Sequence, residues 1–262
     1  MDVYLRKTSL VDYPGKVAAV LFFRGCNLRC PWCHNRELVL PKTEAAGKFP
    51  GGAGEGDFIS QEAAFDCIKR RRSVLGGVVL SGGEPCLCRE LGPLILRIRD
   101  LGLPIKLDTN GMRPDVLEAL FSKAATRPDY IALDLKTAPE RYGELLENAG
   151  GRGPADRDPG EALRKSASLI RKSGITCEFR SIVFPNGYFG LADIDALAPL
   201  VGDSPWYFRS FRPGNCLDPS WNEIGEPEPG HAAILAEAAR NRTGGRFPET
   251  SPGRSFNAAP LR

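Results

Sequence analysis

Residues 17–35 read VAAVLFFRGCNLRCPWCHN, and this stretch indicates how the chain folds. It begins with an unbroken apolar run, residues 17–23, which is typical of a strand buried on both faces. Three cysteines follow within a few residues, Cys26, Cys30 and Cys33, at the spacing C-x3-C-x2-C. The carboxyl ends of parallel strands are where such sheets bind ligands. The stretch therefore predicts a parallel α/β sheet with a cysteine loop at its ligand-binding edge.

Downstream of this stretch, short apolar runs alternate with longer amphipathic segments. Each run followed by such a segment predicts a strand and then a helix, and repeated units of this kind predict parallel strands joined by right-handed crossovers. Six such units are too few for a closed eight-fold barrel. We therefore expect an α/β fold of the partial, open (β/α)6 barrel type. The predicted strands are residues 17–23, 77–81, 104–109, 130–135, 176–184 and 206–211, and the predicted helices are residues 60–72, 89–101, 114–122, 160–172, 191–200 and 231–240.

Composition limits the classes of protein to which the chain can belong. The 262 residues are 42% apolar and carry a net charge of +3, which is too balanced to indicate a nucleic-acid-binding protein. No apolar run is long enough for a membrane span, and residues 1–16 are too polar for an export signal. We expect a cytoplasmic protein with one domain over residues 1–242 and a mobile tail over residues 243–262. Residues 47–57 and 149–160 are predicted to be solvated loops.

The three clustered cysteines indicate metal or redox chemistry. Eight cysteines without an export signal do not suggest a disulfide framework. Thiolates are the ligands of iron–sulfur clusters, which usually take four of them, whereas the local motif supplies three. One iron would then be open to a substrate or cofactor. Two alternatives remain: a zinc site completed by His34, or buried cysteines that only pack.

At this point the sequence resembles a known superfamily. The triplet Cys26, Cys30 and Cys33, with the aromatic Trp32 before the third cysteine, resembles the signature of the radical S-adenosylmethionine (SAM) superfamily. The longer pattern, residues 9–15 (SLVDYPG) together with residues 33–35 (CHN), is similar to the activating enzymes of glycyl-radical enzymes. It is most similar to those of anaerobic ribonucleoside-triphosphate reductase. The similarity extends over residues 3 to about 220.

This resemblance implies a cofactor set and a reaction. The three cysteines would hold a [4Fe–4S] cluster whose fourth iron binds SAM. Reductive cleavage of SAM gives a 5′-deoxyadenosyl radical, which takes a hydrogen atom from a glycine of the partner enzyme. The partner would be a glycyl-radical enzyme, here the anaerobic ribonucleotide reductase, and the electron would come from a donor such as flavodoxin or ferredoxin. No membrane or nucleic-acid partner is implied, and no catalytic residue beyond the cluster and its cofactor.

The resemblance also assigns residues at the strand ends to SAM. A stretch reading SGGEP matches the family's glycine-glycine-glutamate element, although alone it would indicate an ordinary tight turn. Two further strand ends, DTNG and DLK, match residues that surround SAM and a monovalent cation in related activating enzymes. An exposed strand-end ion pair is the alternative for the second of them. The implied SAM-binding residues are Gly82, Gly83, Glu84, Asp108, Thr109, Asp134 and Lys136.

Three more residues are candidates for SAM contacts. Trp32 would pack against the adenine or, equally, within the core. His34 would contact the adenine through its backbone or serve as a local hydrogen-bond partner. Arg180 would reach the SAM carboxylate or ribose, and its alternative is an inter-strand ion pair, since Glu178 shares its strand face.

Other functions stay open at this level. Pyruvate formate-lyase activating enzymes carry a late histidine near SAM, where residues 211–215 read FRPGN. This difference favours the reductase branch, although activation of pyruvate formate-lyase or another glycyl-radical enzyme remains an alternative. A radical SAM enzyme acting on a small molecule is another. Cys86 and Cys88 receive no role, and Cys67, Cys177 and Cys216 are expected only to pack.

Overall fold

The computed structural model describes residues 2–39, 58–147 and 158–243. Its centre is one open sheet in the order β3-β1-β2-β4-β5-β6-β7-β8. Six neighbouring strands, β2 and β4 to β8, run parallel, whereas β1 runs antiparallel to its neighbours β2 and β3. The strands are β1 (Asp2–Ser9), β2 (Ala18–Phe23), β3 (Ile59–Ser60), β4 (Gly77–Gly82), β5 (Ile105–Thr109), β6 (Tyr130–Asp134), β7 (Thr176–Val183) and β8 (Trp206–Ser210).

The helices follow the strands in the alternation that the sequence predicts. In α3 the side chains of Leu91, Leu94, Ile95 and Ile98 form one buried face. Ser60 caps the helix that begins at Gln61, because its hydroxyl accepts a hydrogen bond from the amide of Ala63. The helices are α1 (Arg36–Val39), α2 (Gln61–Arg70), α3 (Leu91–Asp100), α4 (Pro114–Phe121), α5 (Tyr142–Glu147), α6 (Pro159–Lys172), α7 (Leu191–Val201) and α8 (His231–Thr243).

The two faces of the sheet carry different residues. One face packs against the helices and contributes to the main hydrophobic core, with members such as Leu21, Leu80 and Leu107. The other face lines the inside of the partial barrel. On β1, β2 and β4 this inner face forms a second, smaller apolar cluster, which we call the apolar half and define by Tyr4, Ala18, Val20, Phe22 and Val79.

The remaining strands present charges to the interior. In β5 and β7, polar residues alternate with apolar ones, so Lys106 and Asp108 on β5 and Glu178 and Arg180 on β7 all point to the inner face of the sheet. We call this set the charged wall. It consists of Lys106, Asp108, Asp134, Lys136, Glu178, Arg180 and Arg209, all of which lie on or directly after strands β5 to β8.

The fold prediction is confirmed in class and in the number of parallel strands, with additions. The sheet also contains β1 and β3, which the sequence analysis did not predict, because their pairing depends on partners far along the chain. The short helices α1 and α5 were also not predicted. The predicted loop 47–57 lies outside the described residues, as do residues 149–157 of the second loop. Of the predicted tail, residues 243–262, only Thr243 is described, at the end of α8.

Candidate functional site

A cavity of about 290 Å³ opens at the carboxyl ends of the parallel strands. This volume lies near the lower end of the range for small-molecule pockets, about 300–1,000 Å³. All the residues that the sequence analysis assigned to the cluster or to SAM line this cavity, except Glu84. They are Cys26, Cys30, Trp32, Cys33, His34, Gly82, Gly83, Asp108, Thr109, Asp134, Lys136 and Arg180.

Hydrogen bonds within the cysteine loop, residues 25–35, fix its conformation. The amide of Cys33 donates to the carbonyl of Cys30 at 3.0 Å. The guanidinium of Arg29 donates to the carbonyl of Cys26 at 2.9 Å, and the amide of Leu28 points at the Cys26 Sγ at 3.4 Å. These contacts close the loop into a compact turn. The three thiols therefore face one cavity although they lie on one short segment.

Two glycines fix this loop against the neighbouring strand. A side chain at Gly83 would place its Cβ 2.0 Å from the carbonyl oxygen of Gly25. At Gly82 a Cβ would lie 2.3 Å from the amide nitrogen of Phe23, and the residue has a φ of +118°. The sequence analysis assigned both glycines to SAM. In the structure their absent side chains also let the end of β4 approach the end of β2 and the start of the cysteine loop.

The donor set fits an iron–sulfur cluster. Burial raises the pKa of Cys26 to about 12 and also raises the pKa of Cys30 and Cys33. Without a metal these thiols are protonated at neutral pH, and a cationic cluster would supply the charge that stabilises their thiolates. The positive charge of Lys136 lowers all three pKa values and so also favours the thiolates. Among the described residues, no further cysteine lines the cavity.

The arrangement does not provide a ready zinc site. Within residues 2–39, 58–147 and 158–243, no three His, Cys, Asp or Glu side chains converge on one metal-ion position. A tetrahedral zinc ion needs such convergence. In a cubane cluster each cysteine binds a different iron, so its thiols lie farther apart.

Ion pairs fill the charged wall of the cavity. The Nε of Arg180 donates to Asp134 Oδ1 at 2.7 Å, and the Nζ of Lys136 donates to Asp134 Oδ2 at 3.1 Å. The Nη1 of Arg180 also lies 3.5 Å from Asp108 Oδ2 and 3.9 Å from Glu178 Oε1. Arg180 thus joins three carboxylates from three strands. The ion-pair alternative for Arg180 is present, and the residue lines the cavity as well.

These neighbours change the acidity of the wall. Burial alone would raise the pKa of Asp134, but the charges of Arg180 and Lys136 hold it well below its usual range. Burial and the nearby Arg180 charge lower the pKa of Arg209 to about 10. At neutral pH both groups are charged. The cavity therefore presents fixed charges of both signs, which suits a zwitterionic amino-acid ligand.

Glu84 lies behind the cavity rather than in it. The residue is only 1% exposed, and its carboxylate accepts hydrogen bonds from Thr109 Oγ1 at 2.8 Å, from the amide of Asn110 at 2.7 Å and from the amide of Cys86 at 3.0 Å. It joins the end of β4 to the end of β5. Asn110 continues this link, since its side-chain amide donates to Asn27 Oδ1 at 2.8 Å.

Trp32 belongs to an aromatic cluster beside the cysteine loop. Its ring centroid lies 4.8 Å from those of Phe184 and Tyr188 and 5.1 Å from that of Trp221. Trp32 therefore packs in the core and also lines the cavity. His34 packs near Phe211, with 5.8 Å between ring centroids, and burial lowers the pKa of its imidazole. Its buried Nε2 has no hydrogen-bond partner among the described residues.

Several polar residues in or directly behind the cavity were not assigned to the site from the sequence, among them Lys106, Ser81 and Arg209. Lys106 lies two residues before Asp108, and the period of a strand places both on one face. Ser81 lies at the end of β4 and donates to Asp108 Oδ2 at 3.1 Å. Arg209 alternates with buried Phe208 on β8 and lines the cavity. The alternation of polar and apolar residues in β5 and β8 is the signal that could have identified Lys106 and Arg209.

Comparison with known proteins places this site in context. The family model described as the Radical SAM superfamily matches residues 20–187. A protein of Methanocaldococcus jannaschii assigned to the glycyl-radical enzyme activating enzymes is 29% identical over 238 residues, which cover 88% of each chain. The pyruvate formate-lyase-activating enzyme of Clostridium pasteurianum is 30% identical over 202 residues, covering 75% of this chain and 74% of its own length.

A solved structure shares the fold. A radical SAM methyltransferase from Sphaerobacter thermophilus superposes with a TM-score of 0.64 at 17% identity, over 95% of this chain and 70% of its own. A sequence identity this low is evidence of a shared fold only. In the part of the chain that the structure describes, no helix has the length and apolar character needed to cross a bilayer.

Proposed function

The chain belongs to the radical SAM superfamily, and we propose that it activates a glycyl-radical enzyme, specifically anaerobic ribonucleoside-triphosphate reductase. The observation that carries the proposal is a single cavity with three cysteine thiols on one side and paired charges on the other. Three thiols leave one iron of a cubane open, and the charges suit the amino and carboxylate groups of SAM. The relatives named above support the activating-enzyme assignment.

Each part of the site has a role in this proposal. Cys26, Cys30 and Cys33 would hold the [4Fe–4S] cluster, and Gly82 and Gly83 would bring backbone close to the ligand. When both groups are bound, they supply one-electron cleavage of SAM and abstraction of a hydrogen atom from a partner glycine. The chain itself positions the reactants and excludes water.

The charged wall would orient SAM. Asp134 lines the cavity with its carboxylate between two cations, and it can accept a hydrogen bond from the SAM ammonium. Lys136 and Arg180 can pair with the SAM carboxylate. The Trp32 ring offers an apolar surface to the adenine, and the buried His34 Nε2 can pair with an adenine nitrogen.

The choice of partner rests on the sequence after β8. Residues 211–215 read FRPGN where the formate-lyase activating enzymes carry a histidine near SAM. The absence of a histidine from this stretch favours the reductase over pyruvate formate-lyase. The formate-lyase stays a second candidate, because the Clostridium pasteurianum enzyme is 30% identical to this chain.

The proposal is tested by radical transfer. The protein is reconstituted anaerobically with iron and sulfide, reduced with dithionite, and mixed with SAM and either the reductase or pyruvate formate-lyase. We expect 5′-deoxyadenosine and a glycyl-radical signal in electron paramagnetic resonance (EPR), with the reductase as the better acceptor. Turnover of a metabolite without any radical on either partner would contradict the proposal in favour of a small-molecule substrate.

A matched pair of variants controls this experiment. Cys30→Ala removes a thiol of the cavity, whereas Cys177→Ala removes one at the opposite, amino-terminal end of β7. Radical transfer should be lost in the first and retained in the second. Equal loss in both would indicate damage to the fold rather than to the cluster.

A further inference from the structure

Lys106 is a fully buried cation directly behind the cavity. Its residue exposure is 0%, and its ammonium forms an ion pair with Asp108 Oδ1. Asp108 lines the cavity, whereas Lys106 does not. The two residues are separated by one position in β5, so both point to the inner face of the sheet. The ammonium is therefore built into the wall beneath the carboxylate.

The two aspartates that the family resemblance assigns to a monovalent cation are already neutralised by the chain. Asp108 contacts Lys106 with one oxygen, and its other oxygen accepts from Ser81 Oγ at 3.1 Å and lies 3.5 Å from Arg180 Nη1. Asp134 accepts from Arg180 with one oxygen and from Lys136 with the other. Each of these oxygens keeps a second lone pair for one further hydrogen-bond donor, whereas an alkali-metal ion beside it would lie against the cations already paired with the two carboxylates. In the described structure, a protein donor faces each of these four oxygens.

The net charge of the charged wall also disfavours a bound metal ion. The wall contains four cations and three carboxylates, so its net charge is already positive. A further metal ion would be desolvated beside fixed cations at a high electrostatic cost. The ring of Tyr130, with its centroid 5.8 Å from Lys106 Nζ, adds to the fixed surroundings of the ammonium. The residues therefore do not fit an exchangeable monovalent cation beside Asp108.

We propose that the Lys106 ammonium takes the place of the exchangeable monovalent cation, so that this chain binds SAM without K⁺ or Na⁺. The proposal deepens the proposed function and rests on it for the identity of the ligand. Lys106 is a positioning residue: it acts on SAM through Asp108 and the ion pairs of Arg180. A covalently held cation is always present, whereas a metal ion must be recruited at each binding event.

The wild-type protein gives the direct test. SAM binding to the reconstituted protein is measured by calorimetry in potassium chloride, sodium chloride and tetramethylammonium chloride at equal ionic strength, because tetramethylammonium is too large for a metal-ion site. We expect Kd values that agree within about twofold, a difference well below 1 kcal/mol. A Kd at least about tenfold weaker in tetramethylammonium would overturn the proposal. Absence of SAM binding in every salt would instead contradict the proposed function.

A variant that lacks the Lys106 charge should make SAM binding depend on K⁺. Lys106→Met removes the charge with a side chain of similar length and leaves the Asp108 carboxylate without its buried partner. The affinity for SAM should fall about tenfold in tetramethylammonium chloride. It should recover in potassium chloride, because K⁺ can then neutralise the Asp108 carboxylate. The double variant Lys106→Met/Asp108→Asn should show no recovery, because the carboxylate that would bind K⁺ is gone.

Thermal unfolding supplies a readout that needs no SAM. K⁺ at equal ionic strength should raise the unfolding midpoint of the reconstituted Lys106→Met variant by about 3 °C and leave the wild type unchanged. A folded variant whose midpoint and SAM affinity both ignore K⁺ would contradict the proposal. If the variant does not fold, the salt series on the wild-type protein still decides between the two outcomes.

Discussion

The apolar half and the charged wall line the same interior but hold the molecule together differently. The apolar half consists of residues such as Val20 and Val79, each 0% exposed. The charged wall has ion pairs from neighbouring strands, centred on Arg180. Packing stabilises the first region, whereas in the second the pairing of opposite charges offsets the cost of burying them. We therefore expect retention of the cluster and binding of SAM to be separable properties of this fold.

The largest effect is expected on the side of the cysteine loop. Cys30→Ala should reduce iron and acid-labile sulfide to a small fraction of the wild-type content and abolish SAM cleavage, because two thiolates do not hold a cubane. Iron and sulfide analysis after anaerobic reconstitution measures this effect. A variant that keeps a full cluster would show that another side chain ligates it. That result would contradict the assignment of cluster retention to the cysteine loop.

Gly83→Ala should act on the same side through sterics. The new Cβ would lie 2.0 Å from the carbonyl oxygen of Gly25, a backbone atom that cannot move away alone. We expect a loss of about 3 kcal/mol in the free energy of unfolding, the upper part of the range for overpacking, together with poor cluster retention. Denaturant unfolding and iron analysis measure the two effects.

Gly143→Ala is the matched control for this variant. Gly143 lies in α5, and its Cβ would have no heavy atom within 4 Å. Its stability should stay equal to that of the wild type or rise, by up to about 1 kcal/mol, since alanine favours a helix over glycine. Similar losses in both variants would argue against a specific role for the approach of β4 to the cysteine loop.

On the side of the charged wall, Asp134→Asn should weaken SAM binding and spare the cluster. The substitution removes the carboxylate that holds Arg180 and Lys136 and that can accept from the SAM ammonium. We expect the Kd for SAM to rise about tenfold to a hundredfold, equivalent to about 1.4–2.8 kcal/mol. Calorimetry and iron analysis on the same sample test this expectation. Loss of the cluster in this variant would mean that the two regions are not separable.

The smallest effect is expected from Arg209→Met. Below pH 10, Arg209 is charged in both the folded and unfolded chain, and because its pKa is lowered to about 10 from 12.5, the folded state carries the cost of that charge. Removing the charge should raise the free energy of unfolding at neutral pH by about 0.5 kcal/mol, the scale of a partly exposed charge pair. This gain should shrink as the pH rises through 10. A clear destabilisation at neutral pH would show that Arg209 stabilises the wall.

Most of the residues that line the cavity could be predicted from the sequence. The cysteine spacing is local, so the chain order alone places the three thiols in one loop. Asp108 and Asp134 lie at the carboxyl ends of predicted strands and Lys136 directly follows one, and parallel strands bring their carboxyl ends together. The six parallel strands were predicted for the same reason, because the alternation of strand and helix patterns is local.

Contacts between distant segments were not predictable. The tight approach of Gly83 to Gly25 depends on the backbone of two strands, and a short glycine turn gives no sign of it. The partners of Trp32 come from residues more than 150 positions later, such as Phe184 and Trp221. Glu84 lies outside the cavity because its carboxylate accepts hydrogen bonds from Thr109 and Asn110 at the end of β5. Long-range packing, rather than pattern, decides each of these features.

An EPR titration of the reduced, reconstituted protein with SAM shows whether one iron of the cluster is open to the ligand. We predict the signal of one [4Fe–4S] cluster whose g values change as SAM is added, because the fourth iron is open to the ligand. Asp134→Asn should show the same signal and require more SAM for the change. A protein that binds zinc without sulfide, or a cluster whose spectrum ignores SAM at any concentration, would contradict the account.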